Sequence, residues 1–501
     1  MQSPLSARLA GLALLGAGLS FAGCDSNDPD PQPDPSSRYC EANPDVFGCA
    51  GSGIEYDTTT VAGVNRITIR QTLDDIGVAG DRTAITWSAD NEYVLDGLVF
   101  VNPGQTLTIE PGTVIRGTPG QGRRASALVV ARDGRIQANG TAAAPIIFTA
   151  LSDDLDDPDD LFENGQPVVG EWGGVILLGN ARTNVVAGEV NIEGIDTSEP
   201  RGLYGGTNDA DNSGTMRYVS IRHGGTLIGE GNEINGLTLG AVGSGTTLEY
   251  IEVFGNLDDG VEWFGGTAQI KHLAAAFCGD DIFDYDLGFR GKAQYVFGIM
   301  GANSGDNGGE HDGGDSDLGG DLGEAAQPFA KPTFWNATYI GSGNGASNDS
   351  RIFNIRDNAG GFYHRSLFAE FTRGVTIEDR NDTEDGDSRA RLEAGDLVFD
   401  SNVFANVGSG GTVASLFDDY AVELTTAETR NNRYVAVTPL VSVGRSTAGG
   451  LNPLPSGSSL TGNLGPAPTD SFFDNTSFIG AFGDTNWLLG WTALDAYGYL
   501  D

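Results

Sequence analysis

Lysine is almost missing from this sequence: Lys271, Lys292 and Lys331 are the only three among 28 basic residues, and 69 acids leave a formal charge of −41. Such a surface repels polyanions, which excludes nucleic acid and anionic lipid headgroups as partners and favours cations. Acid-rich, lysine-poor surfaces fit two origins, a saline habitat and a GC-rich genome. Histidine is as scarce, and His223, His272, His311 and His364 are too scattered for a zinc centre. Stretches of strong helix formers are few, which disfavours helical folds. No phosphate-binding or dinucleotide-binding glycine motif occurs. Beyond the N-terminus no apolar run reaches the ~18 residues a membrane-spanning helix needs.

What is present begins at the N-terminus. Arg8 precedes an apolar run from Leu9 to Phe21, too short to span a bilayer, and Phe21-Ala22-Gly23-Cys24 follows. A basic residue, a short apolar stretch and a thiol behind small residues predict a signal peptide over 1–23, with Cys24 lipidated and left as the new N-terminus. The next residues alternate Pro and Asp up to Pro35, an extended, self-repelling spacer. Asp25 behind the lipid cysteine fits surface export in one bacterial setting and inner-membrane retention in another. Cys40 and Cys49 lie close together in an exported chain and are expected to close a small disulfide loop within a tether over 24–60. Cys278 is left over and reads as a buried, inert thiol.

Gly, at 75 of 501 residues, is about twice its usual share, and 39% apolar residues suffice for a core. Many short strands with tight turns are expected. Leu107 to Leu128, Ile109 to Val130 and Ile115 to Ile136 are spaced by 21 residues. Asp258-Asp259-Gly260-Val261-Glu262-Trp263 aligns with Asp280-Asp281-Ile282-Phe283-Asp284-Tyr285 at 22, Ile251 to Leu273 to Tyr295 keeps that step, and Phe353 falls 22 before Val375. A constant step of short apolar runs broken by Gly, Asn and Asp predicts an all-β, right-handed, single-stranded parallel β-helix over 61–476, with coils stacked about 4.8 Å apart. Insertions are expected at Ser152 to Val168, Asn303 to Pro328 and Asn381 to Glu393. The aromatic stretch 477–501, with Trp487, Trp491, Tyr497 and Tyr499, is expected to cap the open end.

Several segments then resemble a known family: Gly104-Gln105-Thr106-Leu107-Thr108-Ile109-Glu110-Pro111-Gly112-Thr113, Trp172-Gly173-Gly174, Gly260-Val261-Glu262-Trp263 and Gly490-Trp491-Thr492. They look like secreted or outer-membrane lipoproteins of the Bacteroidetes type, whose β-helix resembles the pectate-lyase-like superfamily. The resemblance implies that fold and an outer-membrane or cell-surface location. It implies no settled activity.

The repeat stacks acids on acids: Asp258 over Asp280, Asp259 over Asp281, Glu262 over Asp284. Carboxylates about 5 Å apart repel unless they share a proton or a cation. Three readings follow: solvated turns, a hard-cation site for which Ca2+ is the expected ion, or a general acid/base pair using Asp258, Asp280, Asp281 and Asp284. A second oxygen-rich stretch holds Asp306, Glu310 and Asp312 between glycines, which suits a flexible calcium loop. The Arg-Ile-Lys and Gly-His-Gly motifs of polygalacturonases are absent. The primary expectation is a monomeric, lipid-anchored, non-enzymatic module for carbohydrate binding, retaining a glycan, another envelope polymer or an envelope protein. A polysaccharide lyase or hydrolase and a purely adhesive envelope protein are its rivals.

Overall fold

A computed structural model of the chain describes residues 58–70, 83–229, 232–380, 386–408, 411–426 and 430–501. The signal segment, Cys24, the tether and the Cys40–Cys49 pair lie outside the described residues.

The expected right-handed parallel β-helix is what the chain forms. One face is a sheet of nine strands: β1 (Leu98–Val101), β2 (Ala127–Val130), β3 (Val175–Leu178), β4 (Leu237–Gly240), β5 (Val261–Phe264), β6 (Phe283–Asp286), β7 (Glu310–Asp312), β8 (Arg351–Arg356) and β9 (Arg373–Ile377). They pair in chain order, each parallel to the next. Long strands such as Thr247–Phe254, Gln269–Ala276 and Lys292–Ile299 form the other faces. Each of these bends at one left-handed residue, Tyr250 (φ 56°), His272 (φ 58°) and Tyr295 (φ 59°). The bend lets one strand serve two faces of the coil. Because side chains alternate, Val261, Trp263, Phe283 and Tyr285 point into one continuous core, and burying each is worth roughly 1.5–3 kcal/mol.

The 22-residue step holds where the acids lie. Glu262 is paired with Asp284, Ile251 with Leu273, and Phe353 with Val375. Leu273, however, pairs with Val296 and not Tyr295, because the turn at Leu287-Gly288, both with positive φ, adds a residue. The 21-residue alignment near the N-terminus is also corrected. Leu107 pairs with Ile85 and Ile136, Ile115 with Tyr93 and Phe148, and Leu128 with Val99 and Val175. The steps there are 22 and then 29 residues or more, since the turn around Gly122–Arg124 lengthens its coil.

Two expectations about the edges are revised. The aromatic tail does not cap an end. It lies along the flank, where Ile479, Phe482, Leu488, Leu494 and Tyr499 pack on the outward residues Phe254, Ala274, Phe297 and Ile340. The end beyond β9 is closed instead by the Val413–Leu416 turn, Phe417 and the short helix α1 (Val422–Thr426), with the Phe417 ring 5.1 Å from Phe399 and 5.8 Å from Phe404. The insertion expected over Asn303 to Pro328 is interrupted by β7, whose His311 is fully buried in the core and pairs with Tyr285 and Ile355.

Candidate functional site

A tight turn leads into each strand of the nine-stranded sheet, and equivalent turn residues stack. The registers of β4, β5, β6 and β7 place Asn235, Asp259, Asp281 and Asn307 at the same point of four successive coils. The stack is a hydrogen-bonded ladder. The Asp281 backbone N–H donates to Asp259 Oδ1 at 2.8 Å, and the Asn307 N–H donates to Asp281 Oδ1 at 2.7 Å. Asn307 Nδ2 donates to the same oxygen at 3.0 Å. Asp and Asn serve equally as acceptors of a neighbouring N–H, so geometry alone does not require the charge. All four residues are buried.

Three residues further on, the outward side of the sheet carries Glu262 on β5 and Asp284 on β6, directly paired. Outward is not exposed here. Val185, Ile192, Ile195 and Tyr204 from the segment before β4 pack over this side against Ile176, Ile234 and Phe264. Glu262 is consequently buried and Asp284 half-buried. Asp259, Glu262 and Asp284 each bring one carboxylate oxygen to within 4.8 Å of the others. Among the described residues no lysine, arginine or histidine forms an ion pair with any of the three. Burial pushes the carboxyls of Asp259, Glu262, Asp281 and Asp284 well above the usual carboxylate range, and the neighbouring negative charges push the same way.

The other expected ligands divide. Asp258 and Asp280 join Asp259 in a second cluster of carboxylate oxygens, but at the rim, where Asp258 is half-buried and Asp280 exposed. Asp306 sits one coil beyond Asp280, its backbone N–H donating to the Asp280 carbonyl at 3.0 Å. Glu310 and Asp312 do not lie on a loose loop. They project from β7 and are clasped by Arg356, whose guanidinium lies 2.7 Å from Glu310 Oε2 and 2.8 Å from Asp312 Oδ1. A third carboxylate group, Glu324, Asp357 and Glu378, is likewise neutralised, by Arg380.

For acid/base chemistry the four acids considered from sequence fall in different settings. Asp281 is inside the ladder with Oδ1 occupied twice, Asp284 lies under the covering segment, and Asp258 and Asp280 stay at the rim. Cys278 is buried as expected, its thiol pushed up to about 12 by loss of solvent.

Sequence reading missed Asn235, Arg356 and the covering segment. Asn235-Gly236 and Asn307-Gly308 repeat the pattern of Asp259-Gly260 ahead of a strand. Reading Asn and Asp as one class would have extended the column in both directions. Nothing in the sequence marks residues 185–204 as a cover.

A family model described as a pectate-lyase-like β-helix domain matches residues 79–438. No curated protein and no solved structure matches the chain. The match takes in all nine strands of the acid-bearing sheet and well over half of the sequence, and the chain belongs to this family of pectate-lyase-like β-helix domains.

Proposed function

We propose that this chain is an exported lipoprotein, anchored at the outer membrane or cell surface through Cys24, whose β-helix is a rigid, non-enzymatic binding or scaffold module for a glycan or other envelope polymer. The anchor reading is supported by the apolar run Leu9 to Phe21, by Phe21-Ala22-Gly23-Cys24 and by the Pro/Asp spacer, and by the likeness to Bacteroidetes-type lipoproteins. No helix among the described residues is long and apolar enough to cross a membrane.

The observation that favours binding or scaffolding over catalysis is the Asp259–Asp281–Asn307 ladder. Of the four acids considered for general acid/base work, Asp281 spends an oxygen on the backbone of the next coil, as Asp259 beside it does. A carboxylate committed in this way holds coils in register and is poorly placed to shuttle a proton. A purely adhesive envelope role remains the rival if no polymer is retained.

The test is affinity electrophoresis of the full chain through gels containing neutral or acidic polysaccharides, with an assay for new reducing or unsaturated ends. Retardation without new ends supports the module. New ends that vanish in Asp280→Asn overturn the non-enzymatic reading in favour of a lyase or hydrolase. Neither retardation nor new ends overturns polymer binding and leaves the adhesive role. Metabolic labelling with an alkyne fatty acid, expected in the parent and lost in Cys24→Ser, tests the anchor.

A further inference from the structure

The sequence contains five Asn-Gly pairs, all among the described residues: Asn139-Gly140, Asn164-Gly165, Asn235-Gly236, Asn307-Gly308 and Asn344-Gly345. In such a pair the glycine nitrogen, with no Cβ to shield it, can attack the asparagine side-chain carbon, which makes asparagine a thermolabile residue. The attack needs a side chain free to turn and a backbone N–H that is not already donated. The fold denies one or both to four of the five. Gly140 donates its N–H to the Arg217 carbonyl at 2.8 Å, Gly236 to that of Asp259 at 3.0 Å and Gly308 to that of Arg351 at 2.9 Å. Asn344 is exposed but pinned, its Nδ2 donating to Asn406 Oδ1 at 3.1 Å and to the Gly408 carbonyl at 2.9 Å.

Asn164-Gly165 is the exception. It makes the two-residue turn between the short strands Phe162–Glu163 and Gln166–Pro167, within the insertion expected over Ser152 to Val168. φ is 54° at Asn164 and 76° at Gly165, the left-handed pair that a tight hairpin turn requires and that Asn-Gly supplies at least cost. Both residues are exposed. Neither the Asn164 side chain nor the Gly165 N–H has a hydrogen-bond partner among the described residues.

A separate observation gives this turn a consequence: the same hairpin straps the C-terminal tail to the solenoid. The Phe162 ring lies 5.3 Å from that of Tyr497 and 6.4 Å from those of Tyr499 and Phe254. Just beyond the hairpin, the Val168 carbonyl accepts His223 Nδ1 at 2.7 Å, and His223 Nε2 meets the Tyr497 hydroxyl at 3.2 Å. Glu163 pairs with Gln166 and Phe162 with Pro167, so the place of Phe162 depends on a loop of two residues.

We propose that Asn164 is a self-modification site, converted in the folded chain to aspartate and isoaspartate, and that isoaspartate there unfastens the strap from Tyr497. The Gly165 nitrogen loses its proton to solvent base and bonds to Asn164 Cγ, and the side-chain nitrogen leaves as ammonia. Water then opens the cyclic imide. Breaking the new C–N bond restores the ordinary main chain with an aspartate side chain. Breaking the original peptide bond leaves the chain running through Cγ, as isoaspartate. Nothing is oxidised or reduced, and one water is consumed for each ammonia released. The second product lengthens the main chain by a methylene, which a two-residue loop of fixed register cannot absorb. The reaction goes beyond the polymer reading and does not depend on it.

The test is peptide mapping by mass spectrometry of the full chain held at pH 8.5 and 37 °C, with enzymatic methylation of isoaspartate as a second readout. Conversion of Asn164 is expected at least ~tenfold faster than that of Asn139, Asn235, Asn307 or Asn344, whose groups must first be released by local opening. Hydrogen exchange at the amides of 493–501 should be faster in the aged chain than in the fresh one. Asn164→Gly keeps a turn of the same type without the reactive amide, and neither change should occur in it. An unconverted Asn164 peptide, or equal rates at all five pairs, overturns the site. Conversion that leaves tail exchange as in the fresh chain, or an equal loss of tail protection in aged Asn164→Gly, overturns the unfastening.

Discussion

The carboxylate of Glu252 accepts the backbone N–H of Ala493 at 2.6 Å across 241 positions of chain, and that of Leu494 at 3.2 Å. Glu252 is fully buried in the middle of the strand Thr247–Phe254, and it also accepts the Ser220 hydroxyl at 2.6 Å. It therefore caps from outside the first turn of the helix α2 (Ala493–Ala496), whose Thr492 side chain receives the Asp495 N–H. One side chain fixes where the tail lands on the flank.

Replacing Glu252 with Gln puts an amide N–H2 where an acceptor is needed and leaves buried donors unpaired beside Arg222. A cost of about 3 kcal/mol is expected, borne by the tail. Hydrogen exchange is the measurement. Amides in 440–501 should lose protection while those of the nine-stranded sheet keep theirs. Uniform loss through the solenoid would mean that the tail is no separate unit.

Two of the three lysines also reach the tail. Lys271 Nζ lies 2.8 Å from Asp474, and Lys292 pairs with Asp470. These pairs are solvent-accessible, Asp474 having 59% of its side chain exposed. They contribute about 0–1 kcal/mol each. Lys271→Met with Lys292→Met should leave tail protection within a fewfold of the parent at moderate salt, and a loss as large as that of Glu252→Gln would show that apolar burial is not the main attachment.

The fold was legible because β-helix coils repeat, and it was most legible where the repeat is cleanest. Glu262 over Asp284 and Phe353 over Val375 could be read from spacing alone. Leu107 over Leu128 could not, because the turn around Gly122 adds residues and similar apolar triplets align equally well out of register. The tail was misplaced for a different reason. Leu273-Ala274-Ala275-Ala276-Phe277 and Val296-Phe297-Gly298-Ile299 are apolar on both faces, the mark of a sheet covered outside as well as in. Which segment does the covering is a long-range fact that spacing does not carry. At the site the acids were visible, but their neutralisation was not, since Arg356 lies 44 positions from Asp312.

Cys278 offers a check on the core between coils. Its thiol is buried, faces Gly260 at the next coil and is pushed up to about 12 by desolvation. Thiolate is the reactive form, so alkylation at pH 8 should be undetectable at the Cys278 peptide by mass spectrometry in the native chain and complete in denaturant. Native labelling on the timescale of a free thiol would show that this part of the solenoid opens.

The Asp259–Asp281 pair sets the sign of the pH dependence. Asp281 has its folded pKa raised well above the ordinary 3.8, by burial first and then by Asp280 and other neighbouring charges. A carboxyl raised in this way holds its proton more tightly when folded, so its contribution to stability is full below 3.8 and is lost as pH rises through the folded value. Asn at this position is a permanent mimic of the protonated acid and matches Asn307 one coil on. In EDTA, Asp281→Asn should therefore raise the melting temperature at pH 7.5 by the equivalent of about 1–3 kcal/mol, with a smaller rise at pH 4.5 and none below pH 3.8. His272 and His364, both pushed down to about 4 by burial, favour the folded state above pH 6.5 and lose that contribution on acidification. Their effect is common to parent and variant, so the difference between the two melting curves isolates the carboxyl. A stabilisation equal at both pH values would mean that Asp281 carries no titrating charge in the ladder, and a destabilisation at pH 7.5 would mean that its charge is needed there.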